Sequence, residues 1–207
     1  EAMNATRNAM KSDWKLPAFA NLIDEIIEQY PRKTFFCTYK SIASELYELL
    51  SPDTQKLIAL MPNSNQLPYF GGTSGANHFN DCTNVIIVGY PRLSPTDYLF
   101  HTYAAWKDDG FMNELDELSN AMESMEKIPK DILRQLPMLE EYENHHLAAR
   151  LEQEIYRCAI RNYYCEEDIN IFLFAPPEPV KNLLSKRLNG IEITHNDLPD
   201  CVASFRD

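Results

Sequence analysis

GGTSGANHFNDCTNVIIVGYPR, residues 71–92, is the stretch on which the fold turns. It packs three of the chain's six glycines into five positions and then runs into the apolar segment 84–90. A short, continuous run of aliphatic and β-branched residues reads as a buried strand. Glycines in front of it let the backbone take positive φ and approach a ligand closely. Thr73, Ser74 and Asn77 add short hydrogen-bonding side chains to that bend. A plain Gly/Ser/Asn turn is the alternative reading of the same composition.

Two more segments read as buried strands, TFFCTY (34–39) and INIFLFAP (169–176), with LIAL (57–60) and LPYF (67–70) as weaker candidates. Helical patterns separate them. Phe19, Leu22, Ile23, Ile26, Ile27 and Tyr30 recur three and four apart and form one apolar stripe, closed by Pro31. That stripe also places LIDEI inside a helix and not on the acidic metal-binding strand of an ATPase. Ser41 reads as the cap of a second helix carrying Ile42, Leu46, Leu49 and Leu50, which Ser51-Pro52 ends. A long acidic helical stretch, about 95–161, is broken near Pro129 and Pro137. Strands flanked by helices, without tight hairpin signals, predict an α/β fold with a mostly parallel sheet.

Bulk properties narrow the class. The 207 residues suffice for one large domain with a substantial core. No apolar run reaches the roughly 18–20 residues of a membrane span, and the first residues show no signal-peptide pattern. The five cysteines include no CxxC pair, which fits reduced thiols and a cytoplasmic setting. The net charge of −12 opposes indiscriminate gripping of nucleic acid. Residues 97–154 alone carry five basic and fourteen acidic residues, a net of −9, whereas residues 1–40 carry six and five, a net of +1. The excess acid is therefore concentrated in the middle, and a weakly basic face remains available elsewhere.

The glycine bend is not a P-loop, because that motif needs GxxxxGK[ST] and the chain contains no Gly-Lys dipeptide. A second constellation lies in HHLAARLEQEIYRCAIRN (145–162). Leu147, Leu151, Ile155 and Cys158/Ala159 make an apolar stripe, while Gln153, Arg157 and Arg161 are spaced by four and share another helical face. A guanidinium held in this way can stabilise charge on a transferred phosphoryl group. Ion pairing with Glu154 or its neighbours on a solvated face is the alternative. His145-His146 points in two directions on a helix, and Cys158 and Cys165 lack a second pair at zinc spacing, so no metal site is expected. Phe111, Leu115, Leu118, Met122 and Met125 recur at helical steps among acids, a packing face that could also dock a partner protein.

Taken in order, these pieces resemble the second, C-terminal RecA-like domain of superfamily-two helicases of the phage and mobile-element type. TFFCTYKSIASELYELL is similar to motif IV. GGTSGANHFNDCTNVIIVGYPR is similar to motif V, with Gly75 and Asn77 at the Gly and polar positions, where Asp is more usual. QEIYRCAIR is similar to motif VI, with Gln153 and Arg157 matching Q-x-x-G-R, Tyr156 replacing the glycine, and the second arginine four residues later instead of three. The resemblance spans about residues 20–187.

The resemblance implies a domain over 19–190 with a helical acidic insertion at about 97–145, an N-terminal edge or remnant at 1–18 and a C-terminal tail at 191–207. It implies that ATP and magnesium bind only together with a first RecA-like domain, in the same or another chain, so that this domain alone neither hydrolyses ATP nor binds it tightly. Arg157 or Arg161 would supply the finger beside Gln153, and Gly75 and Asn77 would lie near the nucleotide. Thr38, Lys40, Thr73 and Ser74 would contact single-stranded nucleic acid. A protein-interaction module on the same scaffold, using the acidic helices, and a nucleotide-binding α/β regulator are the competing classes.

Overall fold

The computed structural model describes residues 10, 14–62, 64–123, 125, 132–162, 164–188, 190–192 and 194. Four strands, β1 (Thr34–Cys37), β2 (Ile58–Ala59), β3 (Asn84–Ile87) and β4 (Asn170–Leu173), form one sheet in the order β2-β1-β3-β4. Every pairing is parallel, and Thr34, Asn84 and Asn170 stand in line across three strands. The expected parallel α/β architecture is present. Of the weaker strand candidates, LIAL supplies the two residues of β2, and LPYF supplies only the bridge of Tyr69 to Thr38.

Strand alternation divides the core between two faces of the sheet. Phe36 and Ile86 point into a cluster with Phe19, Ile23, Ile27 and Leu46, under α1 (Lys15–Gln29) and α2 (Ala43–Leu49). Phe35, Cys37, Val85 and Ile87 point the other way, against Leu147, Leu151 and Ile155 of α6 (Pro137–Ile155) and Val180 and Leu184 of α7 (Glu178–Arg187). Burial on both faces explains why β1 and β3 are apolar after their first residues, Thr34 and Asn84. Deleting a ring such as that of Phe36, which has no solvent exposure, costs about 3–5 kcal/mol.

The local punctuation departs from the sequence in three places. Ser41 does not cap α2: the residue before that helix is Ile42, whose N–H bonds the Tyr39 carbonyl in a turn, with no side-chain cap. Ser51 does end α2, and it also opens α3 (Pro52–Leu57), accepting the Thr54 N–H on its Oγ at 3.2 Å. The first core also takes in residues before 19, since Met10, Leu16 and Ala18 are buried in it.

The acidic middle folds into α4 (Pro95–Trp106) and α5 (Phe111–Glu123), separated at Gly110, whose φ is 105°. Tyr98, Phe111, Leu136 and Leu139 close a third, smaller cluster there. Pro137 begins α6, as a proline can in a first turn, whereas Pro129 lies outside the described residues. α6 belongs to both assemblies, with Leu139 in the helical cluster and Leu147 to Ile155 on the sheet. Among the described residues no helix is long and apolar enough to cross a membrane.

Candidate functional site

The glycine bend leaves the sheet where Phe70 N–H bonds the Thr38 carbonyl at 2.9 Å, just beyond β1. Gly71 and Gly75 have φ of 86° and 74° with open space around them, so they are glycines of conformation. Gly72 is a glycine of close approach, since a Cβ there would lie 2.5 Å from the Tyr69 ring. Three inward residues pin the bend. Thr73 is fully buried, Phe79 packs its ring 4.8 Å from that of Phe35, and Cys82 closes a turn onto the Phe79 carbonyl. Ser74, Gly75 and Asn77 are left exposed.

The arginine segment is not one helical row. α6 stops at Ile155, Tyr156 forms its cap, and Cys158 is extended at φ −84°, ψ −167°. Ala159 N–H then bonds the Cys82 carbonyl at 2.9 Å, drawing the chain onto the lead-in to β3 before a short 3-10 turn, Ala159–Arg161. The spacing of four therefore fails as a guide beyond Ile155. Gln153 stays on exposed helix, where its Oε1 accepts from Arg150 at 3.2 Å.

The break brings the two arginines to the glycine bend in different ways. Arg157 Nε donates to Glu154 Oε2 at 2.8 Å, and Thr73 Oγ1 donates to the same oxygen at 2.8 Å. Glu154 is 2% exposed, so this is a buried charge held by a cation and a hydroxyl. Arg161, which is exposed, donates from one terminal nitrogen to Asn77 Oδ1 at 2.9 Å. It has no carboxylate partner among the described residues. Arg157 is neutralised in place, whereas Arg161 presents its charge outward from the bend.

The expected nucleic-acid contacts divide too. Thr38 is fully buried and spends its hydroxyl on the Val88 carbonyl at 3.0 Å, and Thr73 is committed to Glu154, so neither hydroxyl faces outward. Each hydroxyl ties a loop to the sheet or to α6. Lys40 and Ser74 are exposed, and the Lys40 ammonium sits 5.4 Å from the centre of the Tyr69 ring. Burial pushes the Cys37 thiol well up and the Cys82 thiol up to about 12, with nearby Glu154 and Asp81 respectively adding to the effect. These are structural thiols. Among the described residues no cluster of three or more His, Cys, Asp or Glu side chains is placed to hold a metal ion.

Glu154 carries more of this site than its sequence position announces. Its only local signal is an acid one turn before Arg157, and its partner Thr73 is 81 residues away. Also unmarked is a basic groove made by Arg92, His146 and Arg150 beyond the ends of β1 and β3. The i, i+4 spacing of His146 and Arg150 was its one legible trace. Comparison of the chain with protein families, curated proteins and solved structures finds no match.

Proposed function

We propose that this domain is the arginine-donating half of an ATP-driven nucleic-acid translocase, in the manner of the second RecA-like domain of superfamily-two helicases. The observation that carries the reading is the hydrogen bond of 2.9 Å between Arg161 and Asn77, which joins the two motifs at one exposed point. A four-stranded parallel sheet with helices on both faces is the scaffold such a domain requires. Within the pair left open by the sequence, Arg161 is the finger and Arg157 is the residue that positions the bend.

The residues present fit only this half of a nucleotide site. With no Gly-Lys dipeptide there is no P-loop to cradle a nucleoside triphosphate, so on this reading a neighbouring domain holds ATP and its magnesium. When bound there, the nucleotide supplies the phosphoryl group whose transfer powers movement. This chain's task is to orient a guanidinium through the Asn77 amide, to hold Gly75 in a left-handed turn beside it, and to offer Lys40 and Ser74 to a nucleic-acid backbone.

The test is ATP turnover by this domain together with the domain that carries the P-loop, with single-stranded nucleic acid present. Arg161→Ala should lower turnover by about a thousandfold or more, the scale of a lost arginine finger. Unchanged turnover in that variant refutes the assignment.

A second reading rests on a different observation. Phe100 and Tyr103 on α4 and Met112 on the acid-rich α5 are 67%, 43% and 41% exposed. Large apolar side chains in acidic surroundings favour a protein-docking role for these helices. That reading becomes the better one if the domain shows no salt-dependent affinity for single-stranded oligonucleotides.

A further inference from the structure

The strand order β2-β1-β3-β4 contains a reversal between β1 and β3. The chain leaving β1 turns to the α1/α2 face of the sheet, and the chain leaving β3 leads through the acidic helices to α6 on the other face. Where two parallel strands send their continuations to opposite faces, a crevice opens beyond their carboxyl ends, and ligands bind there in open α/β sheets. In this molecule that position is a groove of about 420 Å³.

Its lining is chemically one-sided. Phe70 and Gly71 come from the start of the glycine bend, Arg92 and Leu93 from the segment after β3, and His146 and Arg150 from adjacent turns of α6. Three basic side chains and no acidic one line it, in a chain with a net charge of −12. Arg150 bonds only the neutral amide of Gln153 at 3.2 Å and has no carboxylate partner among the described residues. Arg92 is held by an ion pair with Glu143, which fixes the guanidinium while leaving other N–H groups of the fork. His146 Nδ1 lies 3.0 Å from the hydroxyl of Tyr98, a residue only 2% exposed. With the phenol as donor, the neutral ring carries its hydrogen on Nε2 and keeps one donor for a ligand.

We infer that this groove is a phosphate-binding site, in which Arg150 carries the unpaired charge, Arg92 adds the remaining N–H groups of its ion-paired guanidinium, His146 adds a neutral donor, and the Phe70 and Leu93 side chains receive the apolar part of the ligand. Two guanidinium forks, that of Arg92 fixed by Glu143, suit a tetrahedral, multiply accepting anion such as phosphate better than point charges would. The volume accommodates a phosphate together with a small organic group. The site is separate from the Arg161–Asn77 contact and does not depend on the translocase reading. The phosphate can belong to a free phosphate monoester or to the backbone of a single-stranded nucleic acid.

The test is titration of the whole chain, by calorimetry and by fluorescence anisotropy, with inorganic phosphate, with adenosine monophosphate and with a labelled single-stranded oligonucleotide at fixed salt. At least one of the three should bind, and Arg150→Gln should weaken it tenfold or more. Arg150→Lys should recover only part of that loss, and Lys186→Gln, on the far side of α7, should change nothing. Displacement of the oligonucleotide by adenosine monophosphate assigns the site to either phosphate source, whereas oligonucleotide binding that adenosine monophosphate does not displace assigns it to the backbone. Circular dichroism and thermal unfolding check that Arg150→Gln remains folded, and Arg92→Gln provides a second variant if it does not. Absence of binding by all three probes at millimolar concentration overturns the inference, as does binding that neither arginine substitution weakens.

Discussion

Thr73 and Glu154 meet at 2.8 Å across 81 residues of chain, and both are buried. The contact fastens the glycine bend to the last turn of α6. The Glu154 oxygen that accepts from Thr73 also accepts from Arg157, so one carboxylate organises both halves of the candidate site.

Glu154→Ala should therefore be among the most damaging single changes in the molecule. It leaves the Arg157 guanidinium, 13% exposed, without its counter-charge, a loss of about 3–5 kcal/mol for a broken buried pair. Thr73→Val should cost less, about 1–3 kcal/mol, because it removes one hydrogen bond and keeps the ion pair. Urea denaturation of both variants measures the difference, and equal, small effects would show that the network is not structural.

Glycine substitutions should separate by cause. Gly75 has positive φ and open space, so Gly75→Ala should cost about 1 kcal/mol of backbone strain alone. Gly89 has φ of 110°, and a Cβ there would lie 2.4 Å from the Tyr39 ring. Tyr39 cannot easily yield, since its hydroxyl donates to the Tyr90 carbonyl at 3.0 Å and accepts the Tyr90 N–H at 2.8 Å. Gly89→Ala should lower the urea midpoint clearly more than Gly75→Ala does.

Stability should fall on mild acidification through His146. Burial, then the charges of Arg150 and His101, hold its pKa below the ordinary histidine value of 6.5. The unfolded ring takes up a proton first as pH drops, so the folded state loses relative stability from about pH 7 downward and has its full contribution above that range. His146→Gln should flatten the stability profile between pH 7 and pH 5. A slope unchanged by that substitution would place the effect elsewhere.

Thiol reactivity should follow burial. Cys37, Cys82 and Cys158 are buried with raised pKa values, whereas Cys165 is only partly buried. Brief alkylation of the native protein, read by peptide mass spectrometry, should mark Cys165 well before those three.

The sheet was legible because β1 and β3 carry short aromatic or aliphatic runs, too short to be buried helices, and α1 because its stripe keeps helical spacing through Ile27. The resemblance to helicase motifs implied that the glycine bend and the arginine segment lie near one ligand, and Asn77 and Arg161 do meet. The end of α6 was not. Leu151, Ile155 and Ala159 maintain the spacing past Tyr156, and what stops the helix is the bond from Ala159 N–H to Cys82, a partner remote in sequence. The roles of Thr38 and Thr73 were hidden for the same reason, since a hydroxyl in a loop gives no sign of whether it faces solvent or a buried carboxylate.

The nineteen residues of α6 make a rod about 28 Å long, with Leu139 seated among the acidic helices and Glu154 holding the bend at the opposite end. His146 and Arg150 lie between those two attachments. One continuous helix thus joins three separate surfaces, the outer helical cluster, the basic groove and the glycine bend, so each is built on the same backbone.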